Sequence, residues 1–188
     1  MKELKIRALV GSIVGMVTSL ACIFLLFMPM LVEIQAGAAT ADNVLYSVFD
    51  SMFQIGDVSQ ILGDATLYVA SSAFMIIFFA LSIILFVLFT LSLVSICLND
   101  SQPKVSSKLN MALSLRVISL ITSVLGTIAT ILLAFYFEAN GLTQTTFGYG
   151  TIVSLVVSLL NIGAAFTIPT NMEKKRMEKK IQKATIID

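Results

Sequence analysis

Four uninterrupted apolar runs govern what this chain can become: residues 9–32, 67–98, 109–137 and 147–168. Each is longer than the roughly 20 helical residues that cross a hydrocarbon layer of about 30 Å. Membrane-crossing strands alternate apolar and polar residues with a period of two, whereas these runs are apolar nearly throughout, so helices are the expected form. Composition closes off the water-soluble alternative. The chain is 57% hydrophobic and 12% charged, against roughly 45–50% and about 25% in ordinary soluble domains. The sequence predicts an all-α integral membrane protein, a single membrane domain over residues 1–188 built as a four-transmembrane-helix bundle.

Charge gives the expected orientation, because Lys and Arg stay on the cytoplasmic side. All 12 basic residues fall before the first run, around the second connection with Arg116, or after the fourth run. The connections 33–66 and 138–146 carry acids and no cation: Glu33, Asp42, Asp50, Asp57, Asp64 and Glu138. Twelve cations against five acids on one side, and six acids on the other, give +7 and −6 and hence the formal net charge of +1. Both termini are therefore expected in the cytoplasm, with a plasma membrane or bacterial inner membrane as host.

Residues 1–7, the first run and Ala36-Gly37-Ala38 share the outline of an export signal. A signal core is about 7–15 residues long, and the longer run here is expected to stay as a span. The two cysteines, Cys22 and Cys97, stand at different depths of their spans and are expected to remain unpaired.

The connection 33–66 is long enough to require structure of its own. Asp50 to Gly56 is nearly repeated by Asp57 to Gly63, with Asp64 opening a further copy. Asp caps helix starts and Gly follows helix ends, while Leu45, Val48, Phe49, Met52 and Phe53 fall at helical intervals, so one or two short amphipathic helices are expected in this first extracytoplasmic loop. Its acids, Glu33, Asp42, Asp50, Asp57 and Asp64, keep the loop wet. They could also gather around a cation or a basic peptide, but their spacing matches no calcium loop and no metal is expected.

Small residues recur every fourth position within three of the spans: Gly11, Gly15 and Ser19; Thr122, Gly126, Thr130 and Ala134; Gly150, Ser154 and Ser158, with Asn161 near the same stripe. Lipid supplies no hydrophobic drive for helix pairing, so close approach along such stripes is the expected packing device. These three helices are expected to form the tight part of the bundle, with the Phe-rich second span tilted or projecting. Pro29 lies near the outer end of the first span, where a kink is tolerated because lost backbone bonds can be re-satisfied locally. Beyond Pro169, the cations Lys174, Lys175, Arg176, Lys179, Lys180 and Lys183 are placed to meet anionic lipid.

Thr145 to Gly150 resembles the Thr-Val-Gly-Tyr-Gly filter of potassium channels, in which backbone carbonyls replace an ion's water shell. The preceding stretch 138–144 is short, polar and broken by Gly141 where a pore helix would stand. The segment is read as the cap and first turn of the fourth span. The layout of a longer first and a shorter second exported loop resembles that of the claudin and peripheral-myelin-protein group. That likeness is one of topology, since this chain has no Trp and no Cys in either loop.

There is no His, and no nucleophile with an evident base. No ionisable residue lies deep in a span, as proton relays and coupled transporters require. The expected function is therefore non-enzymatic, without cofactors or nucleic-acid partners. The chain is expected to act through contacts with another membrane protein or with copies of itself, as an accessory, assembly or protective subunit. The alternatives are an oligomeric pore for small cations and an exported-side cation or peptide sensor.

Overall fold

The second apolar run contains neither Gly nor Pro and folds as one unbroken helix of 33 residues. Among the described residues it is the longest of four helices: α1 (Lys2–Phe24), α2 (Thr66–Leu98), α3 (Met111–Ala139) and α4 (Tyr149–Thr167). The computed structural model describes residues 2–34, 43–47, 66–98, 111–139, 145–147, 149–170 and 173. Three helices, α1, α2 and α3, are long and apolar enough to cross a membrane; α4 carries a shorter apolar stretch, Ile152–Thr167.

Each helix packs on two others, α1 on α2 and α4, α2 on α3, and α3 on α4, which closes a ring. Neighbours run antiparallel. Ser12 meets Ser92 and Cys22 meets Ser82 between α1 and α2; Ser19 meets Asn161 between α1 and α4. Arg116, near the start of α3, reaches Ile168 just past the end of α4. One end of the ring thus holds the start of α1, the end of α2, the start of α3 and the end of α4. The core at this end joins Leu85, Phe89, Leu115, Ala165 and Ile168, and the opposite half is filled by Cys22, Leu25 and Phe78 and by Met75 against Ala129.

The expected span 9–32 is corrected at its end. Helix α1 stops at Phe24, a 3-10 turn covers Leu25–Phe27, and Pro29 opens a strand, β1 (Pro29–Ile34), instead of kinking a helix. Proline cannot donate the helical hydrogen bond and pushes the residue before it into extended backbone. Met28 accordingly has φ −91° and ψ 142°. The apolar run continues, but in a different conformation.

Strand β1 is the centre of a three-stranded antiparallel sheet, flanked by β2 (Asn43–Ser47) and β3 (Thr145–Phe147). Glu33 lies opposite Val44 on one side and Thr145 on the other. The sequence predicts no sheet here, and instead an amphipathic helix across residues 45–53. Residues 45–47 belong to β2, and the rest of that stretch lies outside the described residues. Val44, Leu45 and Tyr46 suit a pleated strand, and the partner that selects it stands on β1. Phe147, expected to open the fourth span, closes β3. The sheet touches α4 through β1 and β3, and α3 through β3; because β1 follows the end of α1 and β3 joins the end of α3 to the start of α4, it lies at the end of the ring away from Arg116.

Candidate functional site

The ring has apolar outer faces and an interior in which small polar side chains are mixed with apolar ones. Val17, Val87, Val124, Ile152 and Leu159 stand exposed on its outer faces, while Ser12, Ser19, Ser71, Ser82, Ser119, Thr122 and Asn161 are buried. A buried hydroxyl needs a partner. Some donate back one turn along their own helix, as Ser82 Oγ does to the Phe78 carbonyl at 2.8 Å, Thr122 to Ile118 at 2.8 Å and Thr130 to Gly126 at 2.9 Å. Others tie helices together. Ser12 and Ser92 share a hydrogen bond of 2.9 Å, Ser71 Oγ donates to the Ala129 carbonyl at 2.7 Å, and Thr18 and Ser19 both donate to Asn161 Oδ1 at 3.4 Å.

The glycines act as notches. A Cβ on Gly15 would run into the Phe89 ring, and one on Gly126 would come within 2.8 Å of Phe78. At Gly11 the obstacles are Thr167 Oγ1 and the Ala164 carbonyl oxygen. Two of these notches receive phenyl rings of α2. The Gly11 notch lies between α1 and α4, as the stripes predict, and the Phe-rich α2, expected to tilt or project, also packs extensively on α3 and α1. At Gly15 and Gly126 the fit is one of complementarity, since glycine leaves a hole that a ring of α2 fills.

Of the other stripe residues, Thr130, Gly150 and Ser158 are buried, and Ala134 and Ser154 are half-buried. A cavity of about 10 Å³ lies among Cys22, Phe78, Gly126, Ser154 and Ser158, at the lower limit of roughly 10–15 Å³ for a single water. Cys22 is buried and Cys97 exposed, and both are free thiols.

At the end opposite the sheet, Arg116 crosses from α3 to close α4. Its Nη2 donates to the carbonyls of Phe166 at 3.2 Å and Ile168 at 3.0 Å, its Nε to that of Ala165 at 3.5 Å, and its guanidinium lies 4.8 Å from the Phe166 ring centre. The last carbonyls of a helix lack intrahelical donors and carry its negative dipole end, so a cation is favoured there. Nη2 also meets Glu173 Oε2 at 3.4 Å. Glu173 in turn accepts the Thr170 N–H at 2.7 Å, while Thr170 Oγ1 accepts the Glu173 N–H at 3.3 Å. This reciprocal pair is a capping box. The Thr170 N–H, with Arg116 beside it, holds the Glu173 carboxyl below its ordinary value.

Neither feature was anticipated from the sequence. The capping box has a signal, Thr170 and Glu173 at the right spacing immediately after Pro169; the helix that Arg116 would reach has none. Glu33 lies on β1, whereas Asp42, Asp50, Asp57 and Asp64 and the cations Lys174, Lys175, Arg176, Lys179, Lys180 and Lys183 fall outside the described residues. Among the described residues no group of three or more Cys, Asp or Glu gathers as metal ligands would. The filter-like stretch has the backbone of Thr145–Phe147 paired with β1. No protein-family model matches the chain, and no curated protein is significantly similar to it.

Proposed function

We propose that the chain is a four-span membrane protein with both termini in the cytoplasm, acting through protein contacts as an accessory, assembly or protective subunit rather than by catalysis. The observation that carries this reading is the distribution of polarity in the ring: buried serine, threonine and asparagine side chains are spent on backbone carbonyls and on one another, and apolar surface faces outward. The cavity among Cys22, Phe78, Gly126, Ser154 and Ser158 has room for about one water, which turns attention to the outer faces and the two ends. Helix α4, at 19 residues, would rise about 28 Å, close to the hydrocarbon thickness. Chemical crosslinking and native mass measurement on protein extracted in mild detergent test the reading. A complex with a second membrane protein, or with further copies, is the expected result; a lone monomer without a partner opposes it.

A further inference from the structure

Buried hydroxyls on α1 and α3 find partners close at hand. Ser12 pairs with Ser92, Thr18 and Ser19 reach Asn161, and Ser119, Thr122 and Thr130 donate to carbonyls of their own helix. Ser158 of α4 differs. It is only 7% exposed, yet among the described residues its hydroxyl has no hydrogen-bond partner. Away from bulk water such a hydroxyl is costly, and a buried one in a native fold is usually matched by protein or by ordered water. Ser158 lines the cavity of about 10 Å³, room for about one water. All four helices build its wall, with Cys22 from α1, Phe78 from α2, Thr127 from α3 and Ser158 from α4, and Leu25 places it in the half of the ring nearer the sheet. The wall is mainly apolar, but Ser158 is not its one polar group. Thr127 Oγ1 donates to the Ser123 carbonyl at 2.9 Å, which uses its proton and leaves its lone pairs to accept. Cys22 Sγ, beside Ser82, is a weaker acceptor.

We propose that this cavity is a binding site for a single ordered water, which accepts a hydrogen bond from the Ser158 hydroxyl and donates to Thr127 Oγ1 and Cys22 Sγ. Roughly two to four polar partners hold a buried water, and these side chains supply three. A larger solute would displace the Phe78 ring, which is already seated against Gly126. A bridging water is nearly as favourable in enthalpy as a direct hydrogen bond, so it ties α4 to α3 in the sheet half of the ring, as Arg116 does at the opposite end. The site lies within one copy of the chain and is independent of the subunit reading.

The test uses the full chain in phosphatidylcholine vesicles, with solid-state NMR measuring magnetisation transfer from water to side-chain signals. Transfer should reach Ser158 and Thr127 and be much weaker at Thr122, which is buried, donates to Ile118 and lies off the cavity wall. Ser158→Val removes the donor and fills the space, and should abolish transfer at Thr127; Thr127→Val should weaken it at Ser158. Circular dichroism checks that each variant folds, and Ser158→Ala carries the same test where the valine variant does not. The losses in thermal stability should be non-additive, the double variant losing less than the two single variants together. Transfer at Ser158 no stronger than at Thr122, undiminished transfer at Thr127 in the Ser158 variant, or additive losses would overturn the proposal. A lone monomer that shows the transfer would remove the subunit reading alone.

Discussion

The inner and outer faces of the four helices are built from different side chains. Toward the centre stand Ser12, Ser19, Ser82, Ser119, Thr122 and Asn161, interleaved with large apolar groups such as Phe89, Leu85, Phe78 and Leu115; outward stand Ile13, Val17, Ile76, Val124 and Leu159. In water the outer set would have no counterweight. In hydrocarbon, apolar groups gain nothing by moving inward, so packing and hydrogen bonds decide what belongs in the centre. Small polar residues serve both ends there, because they permit close approach and find partners in backbone carbonyls or in one another. The difference teaches that the inner face is sensitive to shape and the outer face to polarity.

The largest effect expected from breaking this contrast is at Gly15. Gly15→Leu drives a side chain into the Phe89 ring, which is fully buried and cannot retreat. Overpacking of this kind costs about 3 kcal/mol, and thermal unfolding followed by size-exclusion chromatography in detergent should show early loss of the folded species. Next comes Asn161→Ala, which strips Thr18 and Ser19 of their shared acceptor. About 1 kcal/mol is the scale of such interhelical bonds, and a double-mutant cycle with Ser19→Ala should show coupling between the two sites.

Arg116→Gln should cost about 1 kcal/mol and, more tellingly, expose residues 170–175 to limited proteolysis, since the α4 carbonyls and Glu173 lose their common donor. The contribution of Glu173 follows the sign of its shift. Its folded pKa is lowered, so attachment of the segment should be fully present above the ordinary carboxylate pKa and be lost as the pH falls through the folded value. Protease sensitivity measured against pH should be flat through neutrality and rise only in acid. The smallest effect belongs to the outer face: Val124→Leu, at a position 56% exposed, should leave stability within about 0.5 kcal/mol by the same thermal assay.

The helices were legible because continuous apolarity over more than twenty residues leaves a chain little else to do. The bounds of α2 fall within a residue of the run 67–98, since neither Gly nor Pro interrupts it. The first run misled at its end because hydropathy does not distinguish a helix from a strand: Met28–Val32 is as apolar as what precedes it, and Pro29 decides the conformation. The sheet was hidden because its central strand finds partners at 43–47 and at 145–147, a pairing no local window contains. At the interior, the every-fourth-residue spacing marks positions such as Gly15 and Gly126 without telling what fills them. That Phe89 and Phe78 do so depends on the antiparallel register of α2. Arg116 was visible as a cation near a span's end, but its role depends on the end of α4, 50 residues further on in the chain.

The central claim is that the ring spans a bilayer with its cations on one side and its acidic connections on the other. Labelling by a membrane-impermeant maleimide in intact cells tests it most directly, with Cys97 replaced by Ser and single cysteines introduced as Asp57→Cys or Ala184→Cys. Buried Cys22 should stay silent. The account predicts that Asp57→Cys is labelled in intact cells and Ala184→Cys only after permeabilisation; reaction of both from the same side would contradict it.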